Sequence, residues 1–292
     1  METEIGKLLV EQIKCQTRLP SKQDIVPYSA LFESDEYGHF TYTAGDNAST
    51  DRLEITQTIL DDLSVPNVKF LFLTHDYSDP THYKDNANFS FCCGKLRSQP
   101  FITIPNTHLL NGWCDMLLSQ VREQDCDFAK KFYMSIFVGG PNCSINEPRS
   151  RYTFSGLNQQ EHMCVITTEK IFPIQQQLRR LFVVTIDGHS LCYDRLYWQM
   201  ASNSVPVYIE RRKDIIQLHD NFILPNVHYL DSTVEEWPKL FEEMKNQQDY
   251  LKNIAQNGID FINKHFGNNA QEESLRILEF CLKECSKKQS AM

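Results

Sequence analysis

The stretch from Leu181 to Ile209, LFVVTIDGHSLCYDRLYWQMASNSVPVYI, compresses a strand, a turn, a helix and a second strand into one line. The apolar run from Leu181 to Ile186 reads as a buried strand that breaks at Asp187-Gly188. A helix with Asp194 and Arg195 in its first turns follows and ends in the polar cluster Ser202-Asn203-Ser204. Val205 to Ile209 reads as the next strand of a parallel sheet. In such sheets ligands bind beyond the carboxyl ends of the strands, where helix N-termini present unpaired N–H groups to anions. Asp187, His189 and Arg195 therefore fall at the rim of a phosphate or nucleotide site. Arginine suits that work, because its planar guanidinium offers a bidentate fork to phosphate oxygens.

Other chemically capable residues stand at the ends of other apolar runs. Val68 to Thr74 is suited to a buried strand, with His75-Asp76 at its carboxyl end. With Asp79 and His82 this pair nominates a metal-dependent phosphohydrolase of the His-Asp class, although those proteins are helical and this pair follows a strand. Its plain alternative is an aspartate capping the following turn. Tyr133 to Val138 is a strand ending in Gly139-Gly140, which permit close backbone approach to a ligand or simply make a tight turn. Asp125-Cys-Asp127 matches the Asp-x-Asp signature of metal-dependent transferases, yet it leads into the helical stretch from Phe128 to Phe132, which favours N-capping. The Asp187-Gly188-His189 turn lacks the Gly-x-Gly-x-x-Gly spacing of a nicotinamide site. Tyr197, Trp198 and Met200 read as packing residues, and His228 reads either as a pocket-lining residue or as a buried structural histidine.

These candidates need a scaffold, and 292 residues suffice for one large or two modest domains. Ile5, Leu8, Leu9 and Ile13 recur at helical spacing; residues 50 to 63 and 110 to 121 read as further helices; and Phe101 to Ile104 reads as a short strand. The polar stretch from Pro141 to Arg151, with two prolines, reads as a functional loop or a connection between domains. Division into residues 1–155, 156–270 and a closing helix 271–292 follows. A net charge of −9 argues against nucleic acid as a partner. The ten cysteines include no Cys-x2-Cys pair, and the charged start Met1-Glu-Thr-Glu lacks a signal-peptide core, so reduced thiols in the cytoplasm are expected. No run reaches the ~20 apolar residues of a membrane span.

The Ile186-Asp-Gly188 turn, the Asp194-Arg195 pair and the exit Ala201-Ser-Asn-Ser-Val205 together resemble family 90 glycosyltransferases, the protein O-glucosyltransferases and capsule-associated sugar transferases. The resemblance continues through Asn226-Val-His-Tyr229, the stretch from Asp231 to Trp237 and the helical region from Asn246 to Phe266. Upstream it takes in Thr74-His-Asp-Tyr77 and Phe137-Val-Gly-Gly140 with Pro148-Arg149. It implies an α/β, GT-B-like fold of two Rossmann-like halves with parallel sheets facing a cleft, the acceptor half first and the nucleotide-sugar half second. It implies an inverting, metal-independent transfer with no cofactor, from UDP-glucose or UDP-xylose to a hydroxyl of a glycan, a lipid-linked sugar or a protein. Arg195 takes the position of the diphosphate-binding arginine, and Arg149 is the second cation, with Arg151 as its alternative. Asp76 stands where the family's Asp-Tyr segment holds the proposed base, with His75 and Asp79 as alternatives. Gly139, Gly140, Asp187, Gly188, Ser202, Ser204, Val205 and His228 complete the expected nucleotide-sugar pocket. One departure stands out: the family commonly has arginine after the Phe of Phe-Arg-Gly, whereas this chain has Val138. A non-catalytic nucleotide-sugar or glycan-binding protein is the alternative class.

Overall fold

Helical spacing of Ile5, Leu9 and Ile13 sets the first element, α1 (Glu4–Lys14), whose first turn is capped by the Thr3 hydroxyl accepting the Gly6 N–H. The computed structural model describes residues 3–74, 89–140, 150–166, 172–187 and 194–292. Next in the chain come β1 (Ser29–Ser34), β2 (Phe40–Ala44), α2 (Thr50–Leu63), β3 (Lys69–Leu73), β4 (Ser90–Cys92), β5 (Gly94–Leu96), β6 (Ile102–Thr103) and α3 (Thr107–Leu110). After them follow α4 (Trp113–Gln124), β7 (Phe132–Gly139), α5 (Ser150–Ser155), β8 (His162–Ile166), α6 (Ile174–Leu178), β9 (Arg180–Ile186), α7 (Arg195–Met200) and β10 (Val205–Ile209). The chain closes with β11 (Ile215–Gln217), β12 (Leu230–Ser232), α8 (Trp237–Met244), α9 (Gln248–His265) and α10 (Ala270–Ser290).

Two units emerge. The first comprises residues 1–111, 214–221 and 271–292, and the second comprises residues 112–213 and 222–270. The first boundary therefore lies at Asn111-Gly112, where Gly112 adopts φ +80° and starts α4 three residues later than the expected helix, rather than near residue 155. The physical reason is strand pairing. β7 and β8 flank the polar stretch 141–151 and pair directly, Ser135 opposite His162, so that stretch is a connection inside one sheet. The last helix is likewise no separate body: Gln289 bridges the Lys69 N–H and carbonyl at 2.9 and 2.7 Å, and the Lys288 ammonium donates to carbonyls at the end of α1.

The first unit's sheet runs β2-β1-β3-β4-β6 and is mixed. β1 is antiparallel to both β2 and β3, whereas β3, β4 and β6 are parallel, so the expectation of an all-parallel Rossmann-like first half is corrected. A tight turn makes the difference. The Asp35 carboxylate accepts the N–H groups of Tyr37 and His39, and Gly38 at φ +86° reverses the chain where a Cβ would lie 2.5 Å from the Ser64 backbone. Phe32, Phe70 and Phe91 stack through the core at 5.5 and 4.4 Å.

The second unit's sheet runs β12-β10-β9-β7-β8 and is parallel throughout. Counted within the unit, that is the doubly wound order 2-1-3-4-5. Near-continuous apolar runs such as Leu181 to Ile186 are what a strand covered on both faces requires, and Phe182, Val184, Val207, Trp237 and Phe241 fill one core. The stretch expected to be helical from Phe128 to Phe132 is only a short 3-10 turn, because β7 already begins at Phe132. Among the described residues no helix is long and apolar enough to cross a membrane.

His162 is buried in this core, its Nδ1 2.9 Å from the Ser135 hydroxyl and its ring 4.7 Å from Phe241. Burial holds its pKa below the ordinary 6.5. The unfolded chain therefore binds the extra proton, and the stability contributed by neutral His162 is present above pH 6.5 and lost as pH falls from there. Urea unfolding from pH 8 to pH 5 is expected to show a shallower loss of stability in His162→Gln than in wild type. Parallel pH profiles would assign the acid sensitivity to other groups.

Candidate functional site

In a 2-1-3-4-5 sheet the connections from the first and third strands leave in opposite directions, which opens a crevice beyond their carboxyl ends. Here those strands are β7 and β9, paired with Phe137 opposite Val184. Their ends carry Gly139-Gly140 and Asp187.

Arg151, buried on α5, closes this edge. Its Nη1 donates to the Gly140 carbonyl at 2.6 Å and its Nη2 to the Ile186 carbonyl at 3.0 Å. One guanidinium thus ties the last carbonyl groups of both strands, and its charge is spent on positioning the rim. Its Cζ lies 5.5 Å from the centre of the Phe137 ring.

Arg195 is the first residue of α7 and is half-buried, its Cζ 5.4 Å from the same ring. Its Nη1 is shielded from solvent and has no hydrogen-bond partner among the described residues. A buried charged donor is costly without an acceptor, and a phosphate oxygen would supply one. Gly139 leaves room beside it, since a Cβ there would stand 3.4 Å from Nη1. The helix adds little, because α7 has only six residues.

Asp187 is buried at the end of β9 and accepts the Tyr208 hydroxyl at 2.5 Å and the Arg212 N–H at 3.4 Å. Beside it, the Arg211 guanidinium lies 5.2 Å from the Tyr208 ring and 5.5 Å from that of Tyr229, to whose hydroxyl it donates at 3.0 Å. Asp194 accepts the Trp113 indole N–H at 2.9 Å. Together these contacts make a rim of one phenol-held carboxylate and several guanidinium groups.

Strand direction separates the remaining candidates from that rim. Ser202 and Ser204 precede β10 and Val205 begins it, so they lie at the amino edge of the sheet, opposite Asp187 and Arg195. Both serine hydroxyls are engaged there, Ser202 donating to the Gln199 carbonyl at 2.7 Å and Ser204 to that of Arg180 at 2.9 Å. His228 stands just before β12 rather than at a strand's carboxyl end. Its Nδ1 accepts the Leu224 N–H at 2.9 Å, its ring lies 5.3 Å from Phe261, and burial lowers its pKa. Asp125 binds the Lys131 ammonium and the Asn203 N–H, while Asp127, at the start of the 3-10 turn, pairs with Lys130 at 2.6 Å instead of capping. Asp76, Arg149 and Gly188, together with His75, Asp79, His82 and His189, lie outside the described residues.

The chain matches no protein-family model and no curated protein. What joins the site is therefore local geometry, and Tyr208, Arg211 and the part played by Phe137 escaped sequence reading. Tyr208 is a phenol in a fully buried strand, and a buried hydroxyl needs an acceptor; that was the available signal. Phe137 stands out only as part of the segment Phe137-Val-Gly-Gly140, because apart from that resemblance a phenylalanine in a strand reads as core.

Replacing Arg151 by Met would leave two strand-end carbonyls without their donor. Urea unfolding should then show a loss of about 3 kcal/mol, in the range for charge-assisted bonds. A loss below about 1 kcal/mol would mean that the carbonyls are satisfied otherwise.

Proposed function

We propose that the second unit binds the diphosphate of a UDP-sugar at the β7/β9 crevice and that the protein is an inverting, metal-independent glycosyltransferase of the family 90 type. The observation that carries the reading is the Arg195 Nη1, shielded, without a hydrogen-bond partner among the described residues, and adjacent to Gly139 at the switch point of a doubly wound sheet. On this reading the second unit is the nucleotide-sugar half of a GT-B-like enzyme, and the first unit, despite its mixed sheet, is the acceptor half.

In the reaction an acceptor hydroxyl attacks the anomeric carbon, the bond from that carbon to the β-phosphate oxygen breaks, and UDP leaves. Negative charge grows on the leaving oxygen as the bond lengthens, and a fixed guanidinium stabilises that charge more than the ground state. Arg195 supplies this stabilisation. Asp76 takes the hydroxyl proton; a carboxylate of ordinary pKa suffices, since the hydroxyl becomes acidic only as it bonds to carbon. With Arg151 committed to two carbonyls and Val138 in the place of the family arginine, Arg195 and Arg149 hold the diphosphate between them.

Calorimetric titration of UDP, UDP-glucose and UDP-xylose in EDTA should show binding to wild type that weakens by about 10- to 100-fold in Arg195→Ala, the loss of one or two charge-assisted bonds. Undiminished affinity in the variant would remove Arg195 from the site. Asp76→Asn is expected to keep the UDP affinity and lose transfer to acceptors; retained turnover would move the base to another residue.

A further inference from the structure

We propose that Phe137 is a positioning residue whose ring seats the Arg195 guanidinium and sets where Nη1 points. The inference rests on the diphosphate reading only for what Arg195 binds.

Three observations converge. The Arg195 and Arg151 guanidiniums both approach the Phe137 ring, with Cζ at 5.4 and 5.5 Å from its centre. Arg151 is pinned by the Gly140 and Ile186 carbonyls, and among the described residues the ring between strand and helix is the contact that orders Arg195. Gly139 completes the seat: a Cβ at this position would lie 2.7 Å from the Phe137 Cζ, closer than real side chains approach. Glycine at 139 therefore lets the ring fold back along the strand end toward Arg195, a role separate from admitting a ligand.

The physical benefit is order. An arginine side chain free to sample its rotamers must lose them when it captures an anion, and two like charges beside each other repel and drift apart unless something holds them. An aromatic face attracts both cations through its quadrupole and fixes Arg195 beforehand. The seat explains how Nη1 stays buried without a hydrogen-bond partner among the described residues. Leucine at 137 would fill much of the volume and provide no such face.

The test labels the intact chain with phenylglyoxal and follows the Arg195 and Arg179 peptides by mass spectrometry, exposed Arg179 serving as the internal reference. Phe137→Leu should speed Arg195 labelling about tenfold relative to Arg179, the scale of a desolvated cation–π contact, while Phe137→Tyr stays near wild type. Gly139→Ala should act like Phe137→Leu, and it keeps the core phenylalanine should the leucine variant fail to fold. Unchanged Arg195 labelling in a folded Phe137→Leu or Gly139→Ala variant overturns the proposal. In a pyrophosphate titration, Phe137→Leu should weaken binding about tenfold in wild type and have no further effect in Arg195→Ala. Equal effects in both backgrounds would assign Phe137 to general packing. Absence of pyrophosphate binding to wild type would sink the nucleotide-sugar reading alone, because the labelling result decides the seat without any ligand.

Discussion

Arg151 holds together the edge on which every other feature of the site depends. A parallel sheet presents its strand-end carbonyls to whatever lies beyond, and at a switch point the connecting segments leave in opposite directions, so neither strand covers the other's last group. Arg151 meets both the Gly140 and Ile186 carbonyls from a single buried guanidinium. That contact fixes the spacing between the glycine pair and Asp187. It also places a permanent positive charge under the rim, which favours anions there although the chain as a whole carries −9.

The parallel architecture decides which residues close in sequence share a location. Along a strand–helix–strand unit, the residues after the first strand and those before the second stand at opposite edges of the sheet. Asp187 and Arg195 fall at one edge, and Ser202, Ser204 and Val205 at the other, although only a few residues separate them in sequence. The serines there close the end of α7 and tie it to Arg180, so their hydrogen bonds support the helix that carries Arg195. Gly258 has a similar supporting role: α9 approaches so closely that a Cβ would stand 2.9 Å from the Met200 carbonyl. The short helix is thus fixed at its far end, which is what a six-residue element needs to present its first side chain reproducibly.

Legibility in the sequence follows burial. β7, β9 and β10 were readable because strands covered on both faces must be apolar throughout, and Leu181 to Ile186 and Val205 to Ile209 state that plainly. The helical region from Asn246 to Phe266 and the closing helix 271–292 correspond closely to α9 and α10. β1 and β2 were not, since Phe40-Thr-Tyr-Thr-Ala44 is half exposed and short, and its hairpin depends on the Asp35 side chain and one glycine at positive φ. β8, with a histidine at its head and only partial burial, does not read as a strand, so the polar stretch before it reads as a connection between domains. In the site, charged residues at strand ends could be nominated from sequence. Arg151 entered only as a substitute for Arg149, because a buried arginine bound to backbone carbonyls has no side-chain partner that a motif would reveal.

Val138 sharpens the argument about charge. In a strand whose side chains alternate, residue 138 points to the face opposite Phe137, so an arginine there and one seated on the Phe137 ring would reach the crevice from different sides of β7. With valine at 138, the described cations of the rim are ordered by aromatic faces or by backbone carbonyls, Arg195 by Phe137, Arg211 by Tyr208 and Tyr229, and Arg151 by its two carbonyls. A diphosphate held mainly through Arg195 would be gripped at one oxygen cluster rather than clamped from two sides, so affinity in this protein should depend on how rigidly that one side chain is held. Preorganisation then adds to whatever a second cation supplies, and the glycine that admits the ring bears directly on the arginine it serves.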